Sequence, residues 1–117
     1  MAKIYIAGPM SGYENFNFPA FNTAAYVLRR KGWTVFNPAE KESETLSEES
    51  MVTGDAALAA TQGFNFREVY LWDIDKVIQS DAIYMLPGWA QCPGDRGEHA
   101  AAVAMKKHYP EYQIIYE

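Results

Sequence analysis

Lys3-Ile4-Tyr5-Ile6-Ala7-Gly8-Pro9-Met10-Ser11-Gly12 is the stretch that decides the fold. Five β-prone residues run without a polar interruption and stop at Gly8-Pro9, a strong turn signal. Near-continuous apolarity suits a strand covered on both faces, as in a parallel sheet, rather than one with a wet face. From Gly8 to Pro19, small turn formers alternate with Tyr13, Phe16 and Phe18 and read as a loop carrying aromatic rings.

Working outward, Pro19 opens a helix through about Lys31, with Phe21, Ala24, Ala25 and Leu28 at helical spacing and Gly32 at the C-terminal cap position. Trp33-Thr34-Val35-Phe36 reads as a second strand, stopped by Asn37-Pro38. A helix from Phe64 to about Ser80 is expected to bury Leu71, Ile74, Val77 and Ile78 on one face, with Tyr70 beside them. Asp81 to Leu86 is a third strand ended by Pro87-Gly88. Asp95 to about His108 forms an alanine-rich helix, and Tyr112 to Tyr116 a last strand. Strand and helix alternate throughout. Right-handed crossovers then give one domain, residues 1–117, with a mainly parallel sheet of about four strands between two helical layers. In such sheets ligands sit beyond the C-terminal strand ends, where strand order reverses. Those ends are Gly8-Pro9-Met10, Asn37-Pro38 and Pro87-Gly88-Trp89.

Glu40 to Gly63 breaks the pattern. Its first half, Glu40 to Ser50, is acidic and polar with almost nothing to bury, so a flexible insertion is expected, with a short helix around Asp55–Ala60. The formal net charge of −5 and the lack of a concentrated basic surface argue against a polymeric nucleic-acid partner. Arg29-Arg30-Lys31 and Lys106-Lys107 are basic tips at helix ends, where they complement the helix dipole. The single cysteine, Cys92, excludes an internal disulfide and fits a reducing compartment. No apolar run approaches membrane-spanning length and the N-terminus carries no signal-peptide pattern, so a cytoplasmic protein without membrane association is expected.

The chemistry-bearing candidates are few. Gly8-Pro9-Met10-Ser11-Gly12 stands where phosphate-binding turns occur, but it has neither G-x-G-x-x-G spacing nor a following Gly-Lys-Ser/Thr, which argues against dinucleotide and P-loop sites. Asp95 followed three residues later by Glu98 matches a capping box. Alternatively, Glu98 lies one turn into a helix behind the ligand-facing sheet edge, where a carboxylate can point at a sugar. Spacing leaves both readings open. Asp73 and Asp75 border the apolar face of their helix on opposite sides, and periodicity does not choose between them. Asp81 reads as a turn or cap residue. His99, His108 and Cys92 lack metal-ligand spacing, and no metal or other cofactor is implied.

Taken together, Lys3 to Gly12, Asn37-Pro38-Ala39, Asp73 through Asp81, and Gly94 to Glu98 resemble the nucleoside 2-deoxyribosyltransferase superfamily, which includes the 2′-deoxynucleoside 5′-phosphate N-hydrolases. Within it the chain resembles a short phage and bacterial branch, domain of unknown function 4406, through Ile4-Tyr5-Ile6-Ala7-Gly8-Pro9-Met10 and Leu86-Pro87-Gly88-Trp89. The resemblance spans nearly the whole chain outside Glu40–Gly63. It implies a three-layer Rossmann-like, flavodoxin-like fold. It further implies an N-glycosidase or 2-deoxyribosyltransferase acting on a small-molecule nucleotide or nucleoside, in a homo-oligomer. Carried over by position, Glu98 is the nucleophile, Asp73 the acid that assists the leaving base, and Tyr5 the residue that holds the carboxylate. Gly8, Pro9 and Met10 would line the sugar and base, and Tyr13, Phe16, Trp89, Gly94 and Arg96 would supply base and phosphate contacts. Cys92 takes the place of a phosphate-binding serine, leaving Arg96 and the helix N-terminus to bind a phosphate. Two other functions fit the same pattern: a nucleotide-binding or regulatory module without chemistry, and a phage accessory protein binding a host partner through Glu40–Gly63.

Overall fold

A computed structural model describes residues 2–43, 54–61 and 63–117. Most of the first half of the Glu40–Gly63 insertion therefore lies outside the described residues. The strands are β1 (Lys3–Ala7), β2 (Thr34–Phe36), β3 (Ala82–Met85) and β4 (Gln113–Tyr116). The helices are α1 (Phe18–Arg30), α2 (Pro38–Glu42), α3 (Ala56–Thr61), α4 (Phe66–Gln79) and α5 (Pro93–His108). All pairings are parallel and the strand order is β2-β1-β3-β4, so the chain winds outward in both directions from β1. This is the doubly wound, Rossmann-like architecture, with its switch point between β1 and β3.

Alternation along β1 divides the core. Ile4 and Ile6 face one helical layer, packing with Phe21, Ala24, Ala25 and Leu28 of α1. Tyr5 and Ala7 face the other, with Val77 of α4, Ala102 of α5, and Ile83 and Met85 of β3. Because side chains in a strand alternate with period two, Tyr5 has to enter the α4–α5 layer if the isoleucines serve α1. Tyr5 pairs in register with Phe36 on one side and Ile83 on the other. Its backbone is therefore held from both flanks.

The ends of the sheet are secured by polar contacts. Asp81 is the expected structural residue: its carboxylate accepts from the Lys3 N–H at 2.8 Å and its own N–H donates to the Lys3 carbonyl, also at 2.8 Å. Lys106 Nζ donates to the Tyr112 carbonyl at 2.8 Å, tying the end of α5 to the start of β4. Arg29 forks onto Glu40 at 2.7 and 2.8 Å, which links α1 to α2 across the surface. These two basic tips therefore bind neighbouring chain as well as complementing their helix dipoles.

Three sequence expectations change. Asn37-Pro38 does end β2, but it also starts a helix. Asn37 is the N-cap of α2, its Oδ1 accepting from the Ala39 N–H at 3.0 Å, and Pro38 occupies the first helical position. The polar run therefore does bury something, namely Glu42, which is 6% exposed. On α4 the inward face is rotated: Leu71 and Ile78 are 72% and 50% exposed, while Asp73 and Val77 are buried. The helix covers a cavity as well as a core, so its phase follows polar partners beneath it. Finally, α5 begins at Pro93, with Cys92 at the N-cap, which places Asp95 in the first turn and removes the capping box.

Gly8 marks how closely the first turn meets β3. A Cβ there would lie 2.8 Å from Leu86 Cβ and Cδ1, in a fully packed layer. Gly8→Ala is expected to lower unfolding free energy by about 1–3 kcal/mol, as overpacked core substitutions do. Denaturant melts of the two proteins check this.

Candidate functional site

A cavity of about 300 Å³ opens at the C-terminal edge of the sheet, against the switch point. The turn after β1 contributes Gly8, Met10 and Ser11, and α2 contributes Pro38 and Glu42. Tyr70 and Asp73 come from α4, and Cys92, Gly94, Asp95 and Glu98 from the start of α5. Phe16, Phe21, Phe64, Phe66 and Val69 complete an apolar wall, and Tyr5 lies at the base. One side is therefore aromatic and the other is acidic. That division suits a flat, polar-edged ligand.

The acidic side consists of Glu42, Asp73, Asp95 and Glu98, each at least nine-tenths buried. Asp95 and Glu98 are three residues apart in α5 and so share its inward face. Asp73 reaches them from α4 and Glu42 from the end of α2. Asp75 instead points outward and accepts from Gln79 Nε2 at 2.8 Å. The ambiguity between Asp73 and Asp75 is thus resolved by geometry.

Burial dominates the proton affinities of these groups. It pushes Asp73 up to about 7, with Asp95 adding repulsion, while a hydrogen bond from Tyr5 works the other way. Glu98 is raised well above the usual carboxylate range by burial first and then by Asp73 and Asp95, and Tyr5 again opposes. Burial lifts Glu42 to about 8 and Asp95 to about 6, the latter restrained by hydrogen bonds from the Cys92 thiol and the Gly8 N–H. The Tyr5 hydroxyl is itself held protonated by burial and by the surrounding acids. It therefore remains a donor available to the neighbouring Glu98 and Asp73 throughout the neutral range. Asp73 Oδ1 and Asp95 Oδ2 are buried with no hydrogen-bond partner among the described residues. Such atoms are costly when left unmet and favour a ligand that donates to them.

Two local features shape the aromatic side. Asn15, Phe16 and Asn17 adopt φ of 54°, 50° and 60°, a left-handed turn made without glycine. This conformation costs roughly 1–2 kcal/mol per residue. It is supported by Asn17 Nδ2 donating to the Pro9 carbonyl at 3.0 Å, and it buries Phe16 against the cavity. Tyr70 stacks on Phe66 at 5.2 Å and donates its hydroxyl to the Gly94 carbonyl at 2.7 Å. Its hydroxyl also lies against Gly97, where any side chain would collide with it. Gly97 therefore permits the close approach of α4 to α5.

Of the sequence candidates, Tyr5, Asp73, Glu98, Gly8, Met10, Phe16 and Gly94 meet around the cavity. Four others do not line it. Trp89 stacks on His99 at 4.3 Å and packs near Tyr116, because the short turn after β3 directs its ring toward α5 and β4. Arg96 is exposed, one residue past the inward-facing Asp95. The ring of Pro9 packs on Gly88, and the Tyr13 hydroxyl rests against the same glycine. Sequence reading missed Glu42, Asp95 and Tyr70 as cavity residues. For the first two a signal existed: Asn37-Pro38 and Cys92-Pro93 both place proline at a first helical position, which sets the register of the helix beyond it. Among the described residues no group of three or more His, Cys, Asp or Glu side chains is arranged to hold a metal ion, and no helix is long and apolar enough to cross a membrane.

Fold and site together define a Rossmann-like α/β protein with an acid-lined ligand cavity at its switch point. The chain belongs to the family described as Domain of unknown function (DUF4406), which matches residues 2–109. Comparison with curated proteins and with solved structures gives no match.

The raised acids make stability depend on pH. Each folded-state value lies above the unfolded one, so the folded chain binds more protons, and stability present at mildly acidic pH is lost as pH rises toward 8. Melting temperature is expected to fall between pH 5 and pH 8. Glu42→Gln should flatten that fall and raise the melting temperature at pH 8 by about 4 °C or more. Scanning calorimetry across the pH range checks both statements.

Proposed function

We propose that the protein is an N-glycosidase or 2-deoxyribosyltransferase that cleaves the N-glycosidic bond of a deoxynucleoside or deoxynucleotide. The observation that carries this reading is the pair of buried carboxyls, Glu98 and Asp73, sharing the Tyr5 hydroxyl at the base of a cavity with an aromatic wall. Asp73 is among the charges that raise Glu98, so the two carboxyls resist ionising together, and one proton held between them is the state a nucleophile and an acid require. The resemblance of Lys3–Gly12, Asp73 and Gly94–Glu98 to the deoxyribosyltransferase superfamily supports the same assignment.

In this mechanism a Glu98 oxygen bonds to the anomeric carbon as the carbon–nitrogen bond breaks, and Asp73 gives its proton to the departing base. The transition state resembles an oxocarbenium ion, which the ionised Glu98 stabilises at short range. A deoxyribosyl group, lacking the electron-withdrawing 2′-hydroxyl, forms this cation more readily. Water, deprotonated by Asp73, then attacks the anomeric carbon and displaces Glu98, giving the free sugar. A second base in place of water gives exchange. Tyr5 donates to Glu98 and so orients the attacking oxygen while limiting its basicity.

Incubation with deoxynucleosides and their 5′-monophosphates, followed by chromatography for free base, tests the reading. Glu98→Ala is expected to reduce turnover on the order of 10³-fold or more. Asp73→Asn should reduce it by roughly 10²–10⁴-fold and remove the loss of activity expected of the wild type as pH rises past about 7, where Asp73 gives up its proton. Full activity in Glu98→Ala, or no free base from any member of the panel, would overturn it.

A further inference from the structure

We propose that the cavity takes an unphosphorylated nucleoside and discriminates against the matching 5′-phosphate, and that Asp95 sets this preference; the identity of the ligand rests on the reading above. Among the described residues the lining carries four carboxyls, Glu42, Asp73, Asp95 and Glu98, and no Lys, Arg or His. A phosphate dianion placed here would meet like charge without a cation to offset it, in a setting where burial weakens screening. Residues 44–53 and Gln62 contain no Lys, Arg or His either.

The two features that commonly receive a phosphate in this architecture both adjoin Asp95. One is the turn after β1, whose Gly8 lines the cavity with Asp95 and whose N–H favours the ionised carboxylate. The other is the first turn of α5, where the carboxylate itself resides and draws on the helix dipole. Asp95 thus stands in for the anion that such a turn would otherwise bind. Arg96, the nearest cation in sequence, is exposed and does not line the cavity. The Cys92 thiol, which lines it, hydrogen-bonds toward Asp95.

The same carboxylate asks for a donor. Asp95 is 4% exposed and its Oδ2 has no partner among the described residues. A sugar hydroxyl can donate to that oxygen, whereas a phosphate dianion has nothing to donate. Asp95 therefore favours the hydroxyl form of a ligand twice, by accepting from it and by repelling its phosphorylated counterpart.

Calorimetric titration of the wild-type protein with deoxyadenosine and dAMP, and with thymidine and TMP, tests this, with free-base release followed in parallel. The nucleoside of at least one pair is expected to bind about tenfold or more tightly than its monophosphate. Asp95→Asn, verified as folded by its melting curve, should narrow that ratio by improving the monophosphate and weakening the nucleoside. Equal or tighter binding of the monophosphates, or a ratio unmoved in folded Asp95→Asn, overturns the proposal, and base release in that case leaves the glycosidase reading standing. Preferential nucleoside binding without base release supports the proposal and defeats the glycosidase reading. Binding of neither ligand class overturns both. Where Asp95→Asn fails to fold, folded Asp95→Ser takes its place, while the wild-type ratio tests the preference itself.

Discussion

A single buried tyrosine links the sheet to the chemistry of the site. Tyr5 is on a strand paired on both sides, is 1% exposed, and points to the opposite layer from Ile4 and Ile6 because strand geometry leaves no other choice. Its ring belongs to the core that supports α4 and α5. Its hydroxyl stands beside Asp73 and Glu98, where it opposes the rise in their proton affinity. The alternating apolar pattern that makes β1 a central strand also fixes where that donor stands. Displacing Tyr5 would therefore disturb packing and carboxylate geometry together.

The acidic side of the cavity departs from what a core selected for stability alone would contain. Four carboxyls are removed from water, two of their oxygens lack partners among the described residues, and a left-handed turn without glycine closes the apolar wall. Each feature costs stability, and their coincidence at the switch point of the sheet is characteristic of binding and catalytic sites. The small residues nearby have complementary roles. Gly8 lets the first turn press against Leu86, and Gly97 lets Tyr70 bridge α4 to α5. Close packing around the acids holds them together against their mutual repulsion.

Much of the fold was legible because it rests on period and punctuation. The Lys3–Ala7 run, the Gly8-Pro9 stop and the alternation of strands with helices lead directly to the parallel sheet. What escaped was angular phase. The apolar count on α4 favoured Leu71 and Ile78 as inward residues, yet that helix turns Asp73 inward to meet Tyr5 and leaves both exposed. Hydrophobic periodicity cannot register a polar partner contributed by a distant strand. Trp89 and Arg96 were misplaced for a related reason: each is adjacent in sequence to the cavity but directed away from it, and one residue of helix rotates a side chain by about 100°. Glu42 and Asp95 were obscured because Asn37-Pro38 and Cys92-Pro93 serve as loop signals and helix starts at once. The grouping of Tyr5, Asp73 and Glu98 came from family resemblance, and the geometry brings those three side chains to one cavity.

The central claim is that Glu98, activated in this buried setting, attacks the sugar. Peptide mass spectrometry on protein quenched with acid during turnover of a deoxynucleoside examines it most directly. The account predicts a transient adduct of one deoxyribosyl group on the peptide containing Glu98, absent from Glu98→Ala. Active protein that carries no adduct at any quench time, or an adduct on a different residue, would contradict it.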